Sequence, residues 1–379
     1  MIYLDNAASS FPKPPDVITA METVMREYAA NPGRGTHQLS MKASRVLFEA
    51  RSKAAKLFGV KNCDNIAFTK NATEALNLAI HGLLKPGDHV ITSSLEHNSV
   101  RRPLEFLRQQ GVIELTYIQA DERGRFHAES IRPAIRENTR LIAMTHGSNL
   151  TGTLMPIAEI GQIAKEHGIL LLVDACQTAG VYPIDVEAMN ISLLAFTGHK
   201  SLYGPQGTGG LYIHPDVELV PLMQGGSGGY SELIEMPPTR PDRYEAGTPN
   251  TVGFAGLLAG LNFIEATGRE TIREHEEALT TRLHQGLREI AGVTVYGPPL
   301  GEPRVPIVSF TVEGFESHEI GFILDKNYNI CVRTGLHCAP LAHETVGSIE
   351  HGLVRVSIGF FNTEAEIEAL LEAVRDIAM

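Results

Sequence analysis

An α/β fold built on a large, mostly parallel sheet is what this sequence predicts, on three observations. From about residue 48 to residue 213, short apolar runs alternate with longer stretches of helical period. Several runs, such as Ile169-Leu170-Leu171-Leu172-Val173, are apolar without alternation, as strands are when helices cover both sheet faces. The chain has 379 residues, enough for two or three domains at roughly 150 residues each.

In chain order, strands are expected at 65–69, 89–93, 113–118, 139–144, 169–174, 193–196 and 209–213. Helical periodicity marks 73–84, 99–110, 157–167 and 186–190 between them, the pattern of right-handed crossovers. Residues 224–248 are rich in Gly and Pro and read as an irregular connection between lobes. Helical pattern resumes over 255–266 and 269–291, followed by strands near 305–311 and 353–357. A closing helix at 363–377 opens on Thr363-Glu364-Ala365-Glu366, the spacing of a capping box.

Composition narrows the function. Acidic residues outnumber basic ones 44 to 32, for a formal charge of −12, and no dense Lys/Arg cluster is present. Nucleic acid is therefore not an expected partner, because phosphate binding needs a basic face. The apolar stretches are broken by Gly, Asn, Thr and Pro and do not read as membrane spans. Four scattered cysteines, Cys63, Cys176, Cys331 and Cys338, make no disulfide framework. With no basic, apolar leader at Met1, a reduced, cytoplasmic location is the expectation.

Four features fall at expected strand ends, where ligands of open α/β sheets collect. Thr69-Lys70-Asn71-Ala72-Thr73-Glu74 leads from a strand into a helix, whose free N–H groups and the Thr73 hydroxyl suit an anion. Thr73 acting only as the helix cap is the alternative. Asp174 closes an apolar strand, and a buried carboxylate there needs a partner, structural or bound. Lys200, among small residues in Thr197-Gly198-His199-Lys200, is placed to act as an amine that condenses with carbonyls; a solvent-facing Lys is the alternative. Cys338 lies beside His337 in a loop carrying Gly335 and Pro340, a setting for a reactive thiolate. His337, Cys338, His343 and His351 fit no tight zinc spacing, so no metal is expected there.

Taken in order along the chain, these segments resemble the class V aminotransferase group of pyridoxal-phosphate enzymes. Within that group the likeness is to cysteine desulfurases and selenocysteine lyases of the second, SUF-like type. It also rests on Tyr3-Leu4-Asp5-Asn6-Ala7-Ala8, Asn31-Pro32-Gly33-Arg34-Gly35-Thr36-His37, Glu96-His97-Asn98 and Ser148-Asn149-Leu150-Thr151-Gly152. Asp174-Ala175-Cys176-Gln177, Glu245-Ala246-Gly247-Thr248-Pro249-Asn250 and Arg333-Thr334-Gly335-Leu336-His337-Cys338-Ala339 complete it.

The resemblance implies fold type I of the PLP-dependent transferases: a large lobe with a mostly parallel seven-stranded sheet, and a smaller α+β lobe. Residues 15–250 would form the large domain, and 1–14 with 251–379 the small one. It implies Lys200 as the covalent anchor of pyridoxal 5'-phosphate and proton shuttle, and Asp174 as partner of the pyridine nitrogen. Gln177 would face the ring's phenolic oxygen, and His97 would stack on the ring as a further acid–base group. Thr73, Thr197 and His199 would hold the phosphate, with Thr248 reaching that of a neighbouring subunit in a homodimer. Arg355, with Asn149 as helper, would bind the substrate carboxylate, and Arg333 would bind substrate or position the Cys338 loop; an edge-strand salt bridge is the alternative for Arg355. L-cysteine would give L-alanine and a persulfide on Cys338, with His337 or His97 activating the thiol. The alternative is a selenocysteine lyase, acting on L-selenocysteine, or another class V lyase or aminotransferase; a small sulfur-acceptor protein is the expected recipient for a desulfurase.

Overall fold

Why the central strands lie side by side follows from their composition: Leu193–Thr197 and Gly209–Ile213 are buried at every position, and Leu170–Asp174 at all but the first. Such strands have no solvent face and must be covered on both sides. The computed structural model describes residues 1–33 and 35–379, so Arg34 of the Asn31–His37 segment lies outside it. Seven strands form one sheet in the spatial order Ile66–Thr69, Gly209–Ile213, Leu193–Thr197, Leu170–Asp174, Thr139–Thr145, Asp88–Ser93 and Ile113–Ile118. All pairings are parallel except those of Gly209–Ile213, which runs against both of its neighbours. Two apolar cores flank the sheet: Ile91, Ile142, Leu171 and Val173 belong to one, Val90, Leu141, Ala143 and Leu172 to the other. Each fully buried Leu, Ile or Val contributes about 1.5–3 kcal/mol relative to exposure.

A four-stranded antiparallel sheet follows, in the order Arg333–Gly335, Leu353–Ser357, Ile307–Val312, Val293–Tyr296. Leu353–Ser357 is thus an interior strand, which corrects the edge position considered for Arg355. Its core includes Leu283, Phe310, Val354, Leu370 and Val374, with the closing helix Glu364–Ala378 packed on it. The capping box forms as expected: the Thr363 side chain accepts from Glu366 N–H and the Glu366 carboxylate accepts from Thr363 N–H.

The N-terminus ties the two sheets together. Ile2–Tyr3 pairs in parallel with Ile330–Cys331, Asp5 bridges to Ser357, and Ser10 donates from its backbone to His199 O and from its hydroxyl to Lys200 O. Helices Pro15–Glu27 and Gln38–Leu57 both pack on Thr251–Thr267, and Gly268 at φ +89° separates that helix from Arg269–Arg288.

Residues 186–190 form turns instead of the expected helix. The Asp185 carboxylate accepts from the N–H groups of Glu187 and Ala188, capturing donors that a helix would use, and Asn190 is left-handed at φ 52°. That turn presses on the helix Ile157–Glu166 so closely that a Cβ at Gly161 would lie 1.9 Å from Met189 O. Among the described residues no helix is long and apolar enough to cross a membrane.

Candidate active site

The carboxyl ends of the parallel strands open on a cavity of about 270 Å³, closed from the far side by the Cys338 loop and Arg355. It is walled by Thr73, His97, Asn149, Asp174, Gln177, Thr197, His199, Lys200, Arg333, Cys338 and Arg355, so eleven residues distant in sequence converge there. Thr248 does not join them. It lies in a separate surface groove beside Asn31, Phe48 and Arg51.

One wall is a helix N-terminus. Asn71, not Thr73, is the cap of Ala72–Leu83, its side chain accepting from Glu74 N–H at 3.0 Å. That overturns the capping alternative for Thr73 and leaves its hydroxyl at the cavity, 2.8 Å from Ser99 Oγ. Free N–H groups and the dipole favour an anion at such an end. Thr197 Oγ1 stands 2.9 Å from His199 Nδ1 on the neighbouring wall. Burial first, then Lys200 and Lys13, hold the His199 imidazole down to about 4, so it is neutral at pH 7.

At the strand end, Asp174 is 4% exposed and Oδ1 accepts from Cys176 N–H at 3.0 Å. Among the described residues no Lys, Arg or His forms an ion pair with it, which is unusual for a buried carboxylate. Cys176 also borders this cavity, and burial pushes its thiol well up. Gln177 donates to Ala7 O at 3.2 Å, bringing the N-terminal segment into the site.

His97 caps the helix Asn98–Gln109 through Ser99 N–H, and burial pushes its imidazole down to about 4. Glu96 lies beneath, fully buried, accepting from Ser93 Oγ at 2.5 Å and Thr145 N–H at 3.0 Å. Burial lifts its carboxyl to about 8, which favours the uncharged form at neutral pH.

The opposite wall carries the cations. Arg355, 2% exposed, donates from Nη2 to Asp5 Oδ1 at 2.8 Å and from Nη1 to Asn149 O at 3.0 Å. Asn149 turns its amide to His337 O at 2.7 Å and so holds the cysteine loop from below. Cys338 is exposed, with Arg333 Nη2 4.0 Å from its Sγ. His337 borders the same cavity, and its ring turns toward Arg333 O and His343. Asp5, Glu96, Cys176 and Ser99 join the site beyond the expected residues; the first three lie inside Tyr3-Leu4-Asp5-Asn6, Glu96-His97-Asn98 and Asp174-Ala175-Cys176-Gln177, and only Ser99 falls outside such a segment.

These residues fit pyridoxal phosphate. The unpaired Asp174 carboxylate suits a protonated ring nitrogen, the helix end with Thr73 suits the phosphate, and Lys200 borders the same cavity.

The family model for class-V aminotransferases matches residues 2–370. A probable cysteine desulfurase of Methanothermobacter thermautotrophicus is 41% identical over 388 aligned positions, covering 100% of this chain and 94% of the relative. A cysteine desulfurase of Escherichia coli O127:H6 is 35% identical over 100% of this chain and 93% of its own. Among solved structures, the apo cysteine desulfurase of Thermococcus onnurineus NA1 superposes with a TM-score of 0.93 at 35% identity, covering 100% of this chain and 94% of that one.

Proposed function

This chain belongs to the class-V aminotransferase family and acts as a cysteine desulfurase, and we propose that it moves the sulfur of L-cysteine onto Cys338. The observation that carries this reading is the exposed Cys338 thiol bordering the same cavity as Lys200, Asp174 and Arg355.

The chemistry pyridoxal phosphate supplies when bound is an aldehyde that condenses with amines and a protonated ring that draws electrons from the substrate Cα. Thr73, Thr197, His199 and the N–H groups of the helix end would hold its phosphate, Asp174 would serve its ring nitrogen and Gln177 its phenolic oxygen. His97, a neutral imidazole at working pH, would pack against the ring. Lys200 would supply the amine that anchors the group and would move a proton at the substrate Cα. Arg355 grips the substrate carboxylate, with Asn149 fixing its guanidinium from the backbone side.

With the substrate so oriented, the Cys338 thiolate attacks its sulfur. The new S–S bond forms as the substrate Cβ–S bond breaks; the bond's electron pair stays on carbon, where a proton is taken up. The balance is L-cysteine plus a thiol giving L-alanine plus a persulfide. Arg333, 4.0 Å from Sγ, is the cation on hand for the attacking thiolate. Thr248 lies apart from this chain's own cavity, which supports the reading that it would reach the phosphate of a neighbouring subunit in a homodimer. The exposed thiol then passes sulfur to a small acceptor protein.

The test is alanine release by wild type and Cys338→Ala from L-cysteine and L-selenocysteine side by side. The variant is expected to lose cysteine turnover while retaining selenocysteine cleavage. Unchanged cysteine turnover in the variant would exclude Cys338 as acceptor and favour a lyase.

A further inference from the structure

The reactive loop has a backbone that side chains rarely adopt. His337 and Cys338 are consecutive left-handed residues, at φ 50° and 56°. Such conformations are strained and persist only where the surroundings over-determine them. From the cavity side, Asn149 Nδ2 donates to His337 O at 2.7 Å and Asn98 N–H to Cys338 O at 2.8 Å. Those bonds restrain the carbonyls and leave the His337 ring to be held from beneath.

Beneath it lies His343, on the short helix Pro340–Thr345 that follows the loop. His343 is fully buried and His337 is 3% exposed. Their rings lie nearly parallel, 10° apart in plane, with His337 Nδ1 3.5 Å from His343 Nε2. His343 Nδ1 is 2.8 Å from Ser348 Oγ, and His337 Nε2 is 3.4 Å from Arg333 O. A neutral imidazole donates from one nitrogen and accepts at the other. One direction along the chain gives every ring nitrogen a partner, and the Ser348 and Leu336 carbonyls lie against the His343 ring as further acceptors. Ser348 O–H donates to His343 Nδ1, His343 Nε2–H to His337 Nδ1, and His337 Nε2–H to Arg333 O. Burial keeps both rings neutral, His343 held down to about 4 and His337 to about 2. The chain ends on the residue whose guanidinium stands beside Cys338 Sγ.

We infer that His343 is a positioning residue for sulfur transfer: through His337 it locks the left-handed turn that sets Cys338 Sγ beside Arg333 and toward the Lys200 cavity. It touches neither substrate nor cofactor. The inference rests on Cys338 being the sulfur acceptor.

The test uses His343→Gln, His343→Asn and His343→Leu in the cofactor-loaded enzyme. Gln places its amide near the Nε2 position and can keep the link to His337; Asn reaches only the Ser348 side; Leu keeps neither. Asn and Leu are expected to lower kcat for alanine formation by about tenfold or more, since an ångström of misplacement is worth up to 10²-fold. KM for L-cysteine should stay within about twofold, and Gln should recover most of the rate. A readout independent of turnover is iodoacetamide labelling of Cys338 relative to Cys63 in the same molecule, shifted in Asn and Leu and restored in Gln. Equal losses in Gln and Asn, tracking their melting temperatures, would reduce His343 to a packing residue. A folded Leu variant with wild-type kcat and labelling would overturn the inference as well. Should Leu fail to fold, the Gln–Asn contrast decides. Cys338→Ser separates the premise: full alanine formation in that variant refutes the acceptor reading, while the labelling contrast still reports on His343.

Discussion

Replacing Arg355 with Lys is expected to lower kcat/KM for L-cysteine by roughly ten- to a hundredfold, mainly through KM. The guanidinium holds two fixed partners at once, Asp5 Oδ1 at 2.8 Å and Asn149 O at 3.0 Å, and still borders the cavity. That arrangement needs a planar group with several donors. An ammonium keeps the charge but has one nitrogen, so it can stay with Asp5 or turn to the substrate, and it loses the fork that matches a carboxylate. One charge-assisted hydrogen bond is worth about 1.5–3 kcal/mol, and about 1.4 kcal/mol is a factor of ten, which gives the stated range. Because a cation remains opposite Asp5, the fold should survive, and melting should show it. The assay is initial-rate alanine formation against L-cysteine concentration for both proteins. A raised KM with kcat within about threefold marks lost binding common to ground and transition states. An unchanged KM with an unchanged melting temperature would mean that Arg355 serves only to bridge Asp5 and the Asn149 turn.

Asp174→Asn keeps the acceptor for Cys176 N–H but removes the charge, so turnover should fall at least tenfold with little change in melting; wild-type turnover would remove Asp174 from the ring-nitrogen role. Stability should carry the signature of Glu276, whose carboxyl burial raises to about 8, with Glu277 adding to the rise. Its contribution is fully present below its ordinary value near 4.5 and is lost as pH climbs through 8, because the folded chain holds a proton the unfolded chain has released. Relative to wild type, Glu276→Gln should therefore gain melting temperature as pH rises from 5 to 8, on top of the opposite trend below pH 6.5 that buried neutral histidines such as His199 and His343 give both proteins; a pH-independent difference would show that Glu276 ionises freely in the fold. Gly161→Ala should destabilise by about 1–3 kcal/mol, because its Cβ would strike the Met189 carbonyl, and a melting temperature equal to wild type would contradict that close approach.

The central sheet was readable because its strands are apolar on both faces, and a continuous run such as Leu171-Leu172-Val173 has few other uses. The helices Pro15–Glu27 and Gln38–Leu57 were not. The first does space Val17, Ile18, Met21, Val24 and Met25 as a helix would, but only Val17 and Val24 are buried while Ile18 and Met25 stay exposed, so its packing face is narrower than that pattern. Lys200 and Asp174 were legible from their place at strand ends, where the fold collects ligands. Thr73 and Asn71 are both able to cap a helix, and only the three-dimensional choice of Asn71 frees Thr73 for the site. The Asp5–Arg355 pair joins residues 350 positions apart, a distance over which no local pattern carries information. His343 looked like a stray candidate metal ligand; its link to the cysteine loop depends on the left-handed turn at His337 and Cys338, which the sequence does not announce.

Most direct for the central claim is the mass of the Cys338 peptide after brief mixing of the cofactor-loaded enzyme with L-cysteine, without reductant. The account predicts one added sulfur atom on Cys338 in step with one L-alanine released per site, and none on Cys63, Cys176 or Cys331. Alanine released with Cys338 unmodified, or the sulfur found on another cysteine, would contradict it.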